Sequence, residues 1–315
     1  MYLAQFLGSS NLTDFTQVTQ YIDSDCSGSN CSILGPSAIF NGQYGSLFAQ
    51  SSIGHGNYHG LQTTVKKRFG SGSLLEFNYS WSHSTDLTSS AENDFFNGSY
   101  STVINSYGRN LNKASSDFDI RHQLNGFAVL ALPVGKGHRF LANSNKFVQG
   151  AFGGWSVSSL FQITSGLPRS VVESGSWPTS WTFSGYATQT GASPVVTTTK
   201  NAPGINKKGG PNFFPDPVSA LASYDFTYAG QIGQRNGIRG DGFFTIDMNL
   251  AKRFVMPYSE HHTLQVRWEV FNVPNIVRFD INQASVDIAN SGTFGKYTGT
   301  LNDKRVMQVS ARYVF

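Results

Sequence analysis

Two runs separated by a turn decide the fold: Leu61-Gln62-Thr63-Thr64-Val65-Lys66-Lys67-Arg68-Phe69 and Leu75-Glu76-Phe77-Asn78-Tyr79-Ser80-Trp81-Ser82. In the second, Leu75, Phe77, Tyr79 and Trp81 alternate with Glu76, Asn78, Ser80 and Ser82. In the first, Leu61, Thr63, Val65 and Phe69 alternate with Gln62, Thr64, Lys66 and Arg68. Successive side chains of a strand point to opposite faces, so period two means one apolar face and one polar face. Gly70-Ser71-Gly72 between the runs is a turn sequence, and the whole reads as a β-hairpin.

The pattern recurs along the chain. Ile120, Leu124, Ala128, Leu130 and Leu132 share one phase, as do Trp155, Val157, Phe161 and Ile163. Phe244, Ile246, Met248, Leu250 and Phe254 alternate with Thr245, Asp247, Asn249 and Arg253. Leu264, Val266, Trp268 and Val270 alternate with Gln265, Arg267 and Glu269. The last run sets Met307, Val309, Ala311, Tyr313 and Phe315 against Gln308, Ser310 and Arg312.

The connections alternate in length. Residues 70–73 make a tight turn and 87–117 a long loop. Residues 134–148 are intermediate, 167–240 very long, 255–262 short and 274–303 long again. No helix is foreseen in any of them. Membrane barrels have short periplasmic turns and long external loops. Counted back from Phe315 as a periplasmic end, every long loop falls outside. A soluble β-sandwich has no reason to keep that parity. The expected fold is therefore all-β: an antiparallel up-and-down outer-membrane β-barrel, present as a partial wall of about 7–8 strands. Residues 1–54 read as an N-terminal strand remnant and external loop, and 55–315 as the barrel segment.

Composition agrees. Charged residues are only 13%, against about 25% in soluble domains, and aromatics reach 14%. No apolar run approaches the roughly 18 residues of a spanning helix. A chain that crosses lipid without helices must close its backbone hydrogen bonds as a barrel. The net charge of +4 is spread without a dense basic run, which excludes a nucleic-acid footprint. Met1-Tyr-Leu-Ala-Gln-Phe does not read as a secretory leader, so the chain is expected to be a fragment of a longer protein.

Catalytic chemistry is not expected. G-x-S-x-G, H-E-x-x-H and the phosphate-binding G-x-x-x-x-G-K-[ST] are all missing, so the chain reads as non-enzymatic, with no cofactor and no metal. His261-His262 beside Glu260 reads as a solvated turn, because adjacent strand residues point to opposite faces and make a poor metal site. His83 and Asp86 stand near enough in sequence to pair, without a nucleophile. Cys26 and Cys31 read as a small loop disulfide or as two free thiols, the former in an oxidising compartment.

Several side chains gain candidate roles from the alternation. Glu76, Arg121, Asp247, Arg267, Glu269 and Arg312 fall on the polar phase and are expected to face the lumen, where they would contact a plug. Phe69, Trp81, Trp155, Phe254, Tyr258 and Tyr313 stand near strand ends, as interfacial aromatic girdles do. Lys67, Arg68, Lys252 and Arg253, in two Lys-Arg-Phe runs, would meet phosphate head groups or acidic lumen partners, or be plain solvated charge. Arg235-Asn236 between Gly233 and Gly240 reads as structural, with glycine turns and an arginine bonding backbone carbonyls. Trp177, Trp181, Phe213 and Phe214 would stack on a sugar or peptide, or pack on each other. Tyr313 and Phe315 close an amphipathic strand with an aromatic carboxylate, the kind of signal that assembly machinery reads by strand addition.

The ordered motifs resemble a known family. Tyr58-His59-Gly60-Leu61-Gln62, Lys67-Arg68-Phe69 and Tyr79-Ser80-Trp81-Ser82-His83-Ser84-Thr85-Asp86 are similar to runs of the Oar-like TonB-dependent transporters. So are Asp119-Ile120-Arg121-His122, Leu132-Pro133-Val134-Gly135-Lys136-Gly137, Gly153-Gly154-Trp155 and Ser165-Gly166-Leu167-Pro168. Gly233-Gln234-Arg235-Asn236 with Gly240, Glu269-Val270-Phe271-Asn272, and Arg305, Gln308 and Phe315 complete the order. Two departures, His83 for lysine and Asp241 for proline, fall at strand ends or loops. The resemblance implies a segment of an outer-membrane receptor of a Gram-negative cell, moving a bulky substrate in the full-length parent. It implies outer-membrane lipid, the barrel-assembly machinery, a plug domain and the TonB complex as partners, and no nucleic acid. A surface role in adhesion or envelope organisation is the other functional reading.

Overall fold

The computed structural model describes residues 52–69, 72–89, 108–135, 137, 139–176, 184–203, 209–226, 232–256 and 258–315. The expected N-terminal segment, Cys26 and Cys31, and Trp177 and Trp181 lie outside these residues, save for residues 52–54.

The alternating runs form seven long strands: β1 Gly56–Arg68, β2 Leu74–Asp86, β3 His122–Ala131, β4 Trp155–Thr164, β5 Phe243–Met256, β6 Ser259–Phe271 and β7 Val306–Val314. They lie side by side in chain order and pair antiparallel throughout. The short strand Ala114–Ser115 adds to the end of β2 as an eighth. Strand lengths of 9 to 14 residues suit a tilted membrane crossing, which takes about 9–11.

The register carries each phase across the sheet. Residues paired across antiparallel strands share a face. Val65 pairs with Phe77, Phe77 with Gly126, Gly126 with Phe161 and Phe161 with Ile246. Nearer the turns, Leu130 pairs with Val157, Val157 with Leu250, Leu250 with Trp268 and Trp268 with Val309. A one-residue slip anywhere would exchange the faces. On the other side, Lys66 pairs with Glu76, and Asn249 with Glu269, which pairs with Gln308.

Gly126 is the point where the apolar row is narrowest. A Cβ there would stand 2.3 Å from the Glu76 carbonyl oxygen and 2.6 Å from the Phe161 ring. The missing side chain lets Phe77 and Phe161 meet across β3, ring centroids 5.3 Å apart.

The tight connections share one end of the sheet and the long ones the other. Phe69 N–H donates to Ser73 at 2.9 Å across the first turn, and Gly72 holds φ +79°. Strand β5 ends at Met256 and β6 begins at Ser259, and these two residues pair. His261 and His262 therefore sit in β6, not in a turn as the sequence suggested. His262 lies on the apolar face, its Nδ1 2.6 Å from the Tyr313 hydroxyl. The 132–154 connection contains an unforeseen helix, α1 Lys146–Phe152, capped by Asn145 accepting from Val148 N–H.

The described residues of 167–240 and 274–303 are not open loops. They fold together as a module built from short paired strands, the helix α2 Pro217–Leu221 and two 3-10 turns. Its core holds Phe213, Phe214, Phe294, Val286, Tyr224 and Tyr297. Phe213 and Phe214 meet edge to face at 4.9 Å, and Phe214 stacks on Phe294 at 5.2 Å. Both phenylalanines are fully buried, so they pack on each other rather than offering a stacking surface.

Neither edge strand pairs with the other. Both β1 and β7 are exposed at every position on both faces. Both also run from the loop end to the turn end.

Gly126→Val should cost about 1–3 kcal/mol by forcing apart β2, β3 and β4. Heat-modifiable migration of protein refolded in detergent would show a depleted folded band relative to wild type.

Candidate functional site

The polar face is the candidate surface, and its best-formed part lies where β1, β2 and β3 meet the long loops. Lys66 and Glu76 form an ion pair at 2.8 Å across the β1–β2 pairing. Asn78 donates to Glu76 at 3.3 Å and accepts from Thr64 at 2.8 Å. Above this ladder opens a cleft of about 200 Å³ lined by Tyr58, Gln62, Ser80, Ser82, Phe118 and Gln123, with Asp119 in its wall. Tyr58 and Phe118 are 61% exposed beside this row of hydroxyls and amides.

Asp119 holds the cleft together. Its carboxylate accepts from Ser84 N–H at 2.7 Å, from Arg121 Nε at 2.8 Å and from Arg239 Nη2 at 2.7 Å, with His83 Nδ1 3.3 Å away. Burial on its own would raise this carboxyl. The Ser84 amide, Arg239, Arg121 and His83 outweigh it and hold the group below the usual carboxylate range. Arg239 also donates to the backbone carbonyls of Asp119 at 2.6 Å and Gly166 at 2.8 Å, so one guanidinium joins the β3 approach to the β4 exit.

A second clamp sits beside the first. Arg235 is buried and pairs with Asp86 Oδ1 at 2.7 Å and Asp117 at 3.2 Å, and donates to the Asp86 carbonyl at 3.1 Å. Burial opposes its charge, but Asp86, Tyr186 and Asp117 more than offset that and hold the guanidinium protonated. Asn236 donates to Ser115 O at 2.7 Å and to Asp117 at 2.6 Å. The glycines of this motif are required sterically. Gly233 has φ +70°, and a Cβ would stand 1.9 Å from the Tyr186 carbonyl oxygen. The structural reading of Arg235-Asn236 from sequence thus matches the bonds made.

The pairing of His83 with Asp86 is not formed: His83 faces Asp119 and Asp86 faces Arg235. The fold separates them because adjacent odd and even positions of β2 project to opposite faces. Sequence reasoning assigned no role to Asp119, Asp117 or Arg239. The signal for Asp119 was present in Asp119-Ile120-Arg121-His122, but its partners come from other loops.

Of the polar residues singled out in sequence, Glu76, Asp247, Arg267, Glu269 and Arg312 share the polar face by register. Asp247 accepts from Asn272 N–H at 2.8 Å, and Glu269 accepts from Asn249 at 3.4 Å. Arg121 lies one residue before β3 and belongs to the Asp119 cluster. The polar face is interrupted by Phe127 and Leu160, which pair with each other between Glu76 and Asp247. Leu160 is 61% exposed there.

The apolar face ends at the turns in aromatics. Tyr258 and Tyr313 share a hydrogen bond at 2.7 Å, Lys67 lies over Phe69 at 5.1 Å, and Lys252 over Phe254 at 4.7 Å. Trp81 stands at the opposite, loop end of the same face. Among the described residues, no group of three or more His, Cys, Asp or Glu could hold a metal ion.

The family described as outer membrane beta barrel domain matches residues 9–308. No curated protein and no solved structure matches the chain.

Asp119→Asn should loosen the loop end by about 1.5–3 kcal/mol, since the half-buried donors around it lose a buried, charged acceptor. Limited proteolysis should cut the external loops earlier while the strands stay protected. The carboxyl is depressed in the folded state, so its contribution is complete above the ordinary value of 3.8 and is lost as pH falls below it.

Proposed function

Because the chain belongs to the outer membrane β-barrel domain family and resides in the outer membrane, we propose that it is the receptor wall of a TonB-dependent transporter. In this reading the apolar face meets lipid, the polar face lines the lumen, and the loop module caps the external mouth. The observation that carries it is the division of faces that the register carries across all seven strands, with the long loops on one end. Arginine or lysine at the bilayer midplane of a lipid face costs about 2–4 kcal/mol. Glu76, Asp247, Arg267, Glu269 and Arg312 all avoid that face.

Two further observations bear on how the wall closes and what fills it. The edges β1 and β7 run in the same direction, so direct closure would need a parallel pair. Bacterial single-chain barrels have even numbers of antiparallel strands. An odd number of additional strands between β7 and β1 closes the wall with antiparallel pairs only. The second observation is the apolar island at Phe127 and Leu160 on the polar face. A water-filled channel gives such a patch no partner, whereas a plug domain packed in the lumen covers it. The polar ladder and this island are the surfaces a plug would contact. Tyr313 and Phe315, at the end of an amphipathic edge strand, suit recognition by the assembly machinery through strand addition.

The face assignment predicts opposite outcomes at neighbouring positions. Met248→Arg should lose about 2–4 kcal/mol of folded-state stability in lipid, while Asn249→Arg should refold nearly as wild type. Equal effects on refolding into liposomes would contradict the assignment. The transport reading is tested in the parent organism. Deleting the full-length gene and disabling the TonB complex should abolish growth on the same bulky substrate. Growth lost in the deletion alone would point instead to a role independent of energised uptake.

A further inference from the structure

The connection between β3 and β4 carries large apolar side chains that no part of the described chain covers. Phe147 is 89% exposed, Phe152 60%, Phe140 54% and Leu141 47%. They surround α1 at the turn end of the wall, where a periplasmic connection would ordinarily be short and polar. Arg139 and Lys146, both exposed, stand among them.

The position of α1 relative to the wall is fixed by two bonds. Trp155 Nε1 donates to the Ala151 carbonyl at 2.9 Å, and Lys252 Nζ donates to the Gly150 carbonyl. Trp155 and Lys252 pair in register and belong to the apolar face of β4 and β5. The last carbonyls of a helix lack partners and carry its negative end, which suits an indole N–H and an ammonium. Lys252 is 5% exposed, with its Nζ 5.6 Å from the Trp155 ring centroid. Gln149 donates to the Leu141 carbonyl at 2.6 Å and ties the incoming chain to the helix. The helix is therefore moored on the apolar side of the sheet and not beneath its polar face.

We propose that α1 and its approach are a membrane foot, inserted among the phospholipids of the periplasmic leaflet. Phe147, Phe152 and Phe140 enter the acyl boundary, and Arg139 and Lys146 meet phosphates. The foot continues the apolar face and its aromatic fringe into the interface, so its occupant is the lipid that already covers that face. The proposal rests on the outward orientation of the apolar face given above. Interfacial helices of this kind combine aromatic side chains on one side with basic ones at the rim. The mooring through Lys252 places the second Lys-Arg-Phe run in a definite role: Lys252 positions the foot, while Arg253 projects to the polar face.

The test uses the full chain with Cys26→Ser and Cys31→Ser, refolded into vesicles of phosphatidylethanolamine and phosphatidylglycerol. Single cysteines replace Phe147, Val309 or Leu301 and carry an environment-sensitive fluorophore. Position 309, on the apolar face, reports the belt, and position 301, in a long loop, reports water. The expected result is that the label at 147 emits to the blue, like that at 309, and is quenched by nitroxide lipids and not by aqueous iodide. If 309 is lipid-quenched while 147 behaves like 301, the foot is overturned and the barrel reading stands. If 309 itself behaves like 301, the orientation on which the proposal rests fails with it.

Discussion

The structure depends on the pairing of each strand's backbone with its neighbours while its two sides face different surroundings. Seven strands in chain order satisfy every internal ladder, and the register holds one phase from Val65 through Phe77, Gly126, Phe161 and Ile246. In lipid an unpaired backbone group costs several kcal/mol, so pairing is obligatory. The phase is then enforced by the difference between lipid and a wet interior, because any single-residue slip would drive charged side chains into hydrocarbon.

That constraint also explains what the loops do. Long connections at one end of a wall would carry many backbone groups without regular partners. Here 167–240 and 274–303 meet instead in a module with its own apolar core, joined to the strands by Arg235, Asn236 and Arg239. The charged clamps sit at the seam between module and wall, where both surfaces are polar and a buried guanidinium finds carboxylates and carbonyls together. Burial within the module pushes the Tyr224 and Tyr297 hydroxyls up to about 12, which keeps them neutral in an apolar setting.

The turn end is organised differently. Aromatic rings there stay exposed and are held by hydrogen bonds to one another, as in Tyr258, His262 and Tyr313. Two lysines lie over rings rather than in carboxylate pairs. An amphipathic ring at a lipid boundary keeps one edge in hydrocarbon and its polar atom near water, so exposure there is a property of the surrounding medium and not a packing defect.

The sequence by itself determined the strands, their order, the division of faces and the placement of long loops on one side. Each follows from local alternation and from spacing along the chain, which a strand's geometry converts directly into faces and ends. The role of Arg235-Asn236 was legible too, because glycines flanking an arginine imply a tight turn and carbonyl partners. Only the tertiary structure decided the partners of Asp119, the burial of Phe213 and Phe214, the strand position of His262 and the mooring of α1. These depend on loops distant in sequence meeting at one end of the wall, and an irregular loop has no period from which its contacts can be read. The common direction of the two edges needed both: strand count came from the sequence, and the absence of pairing between β1 and β7 from the fold.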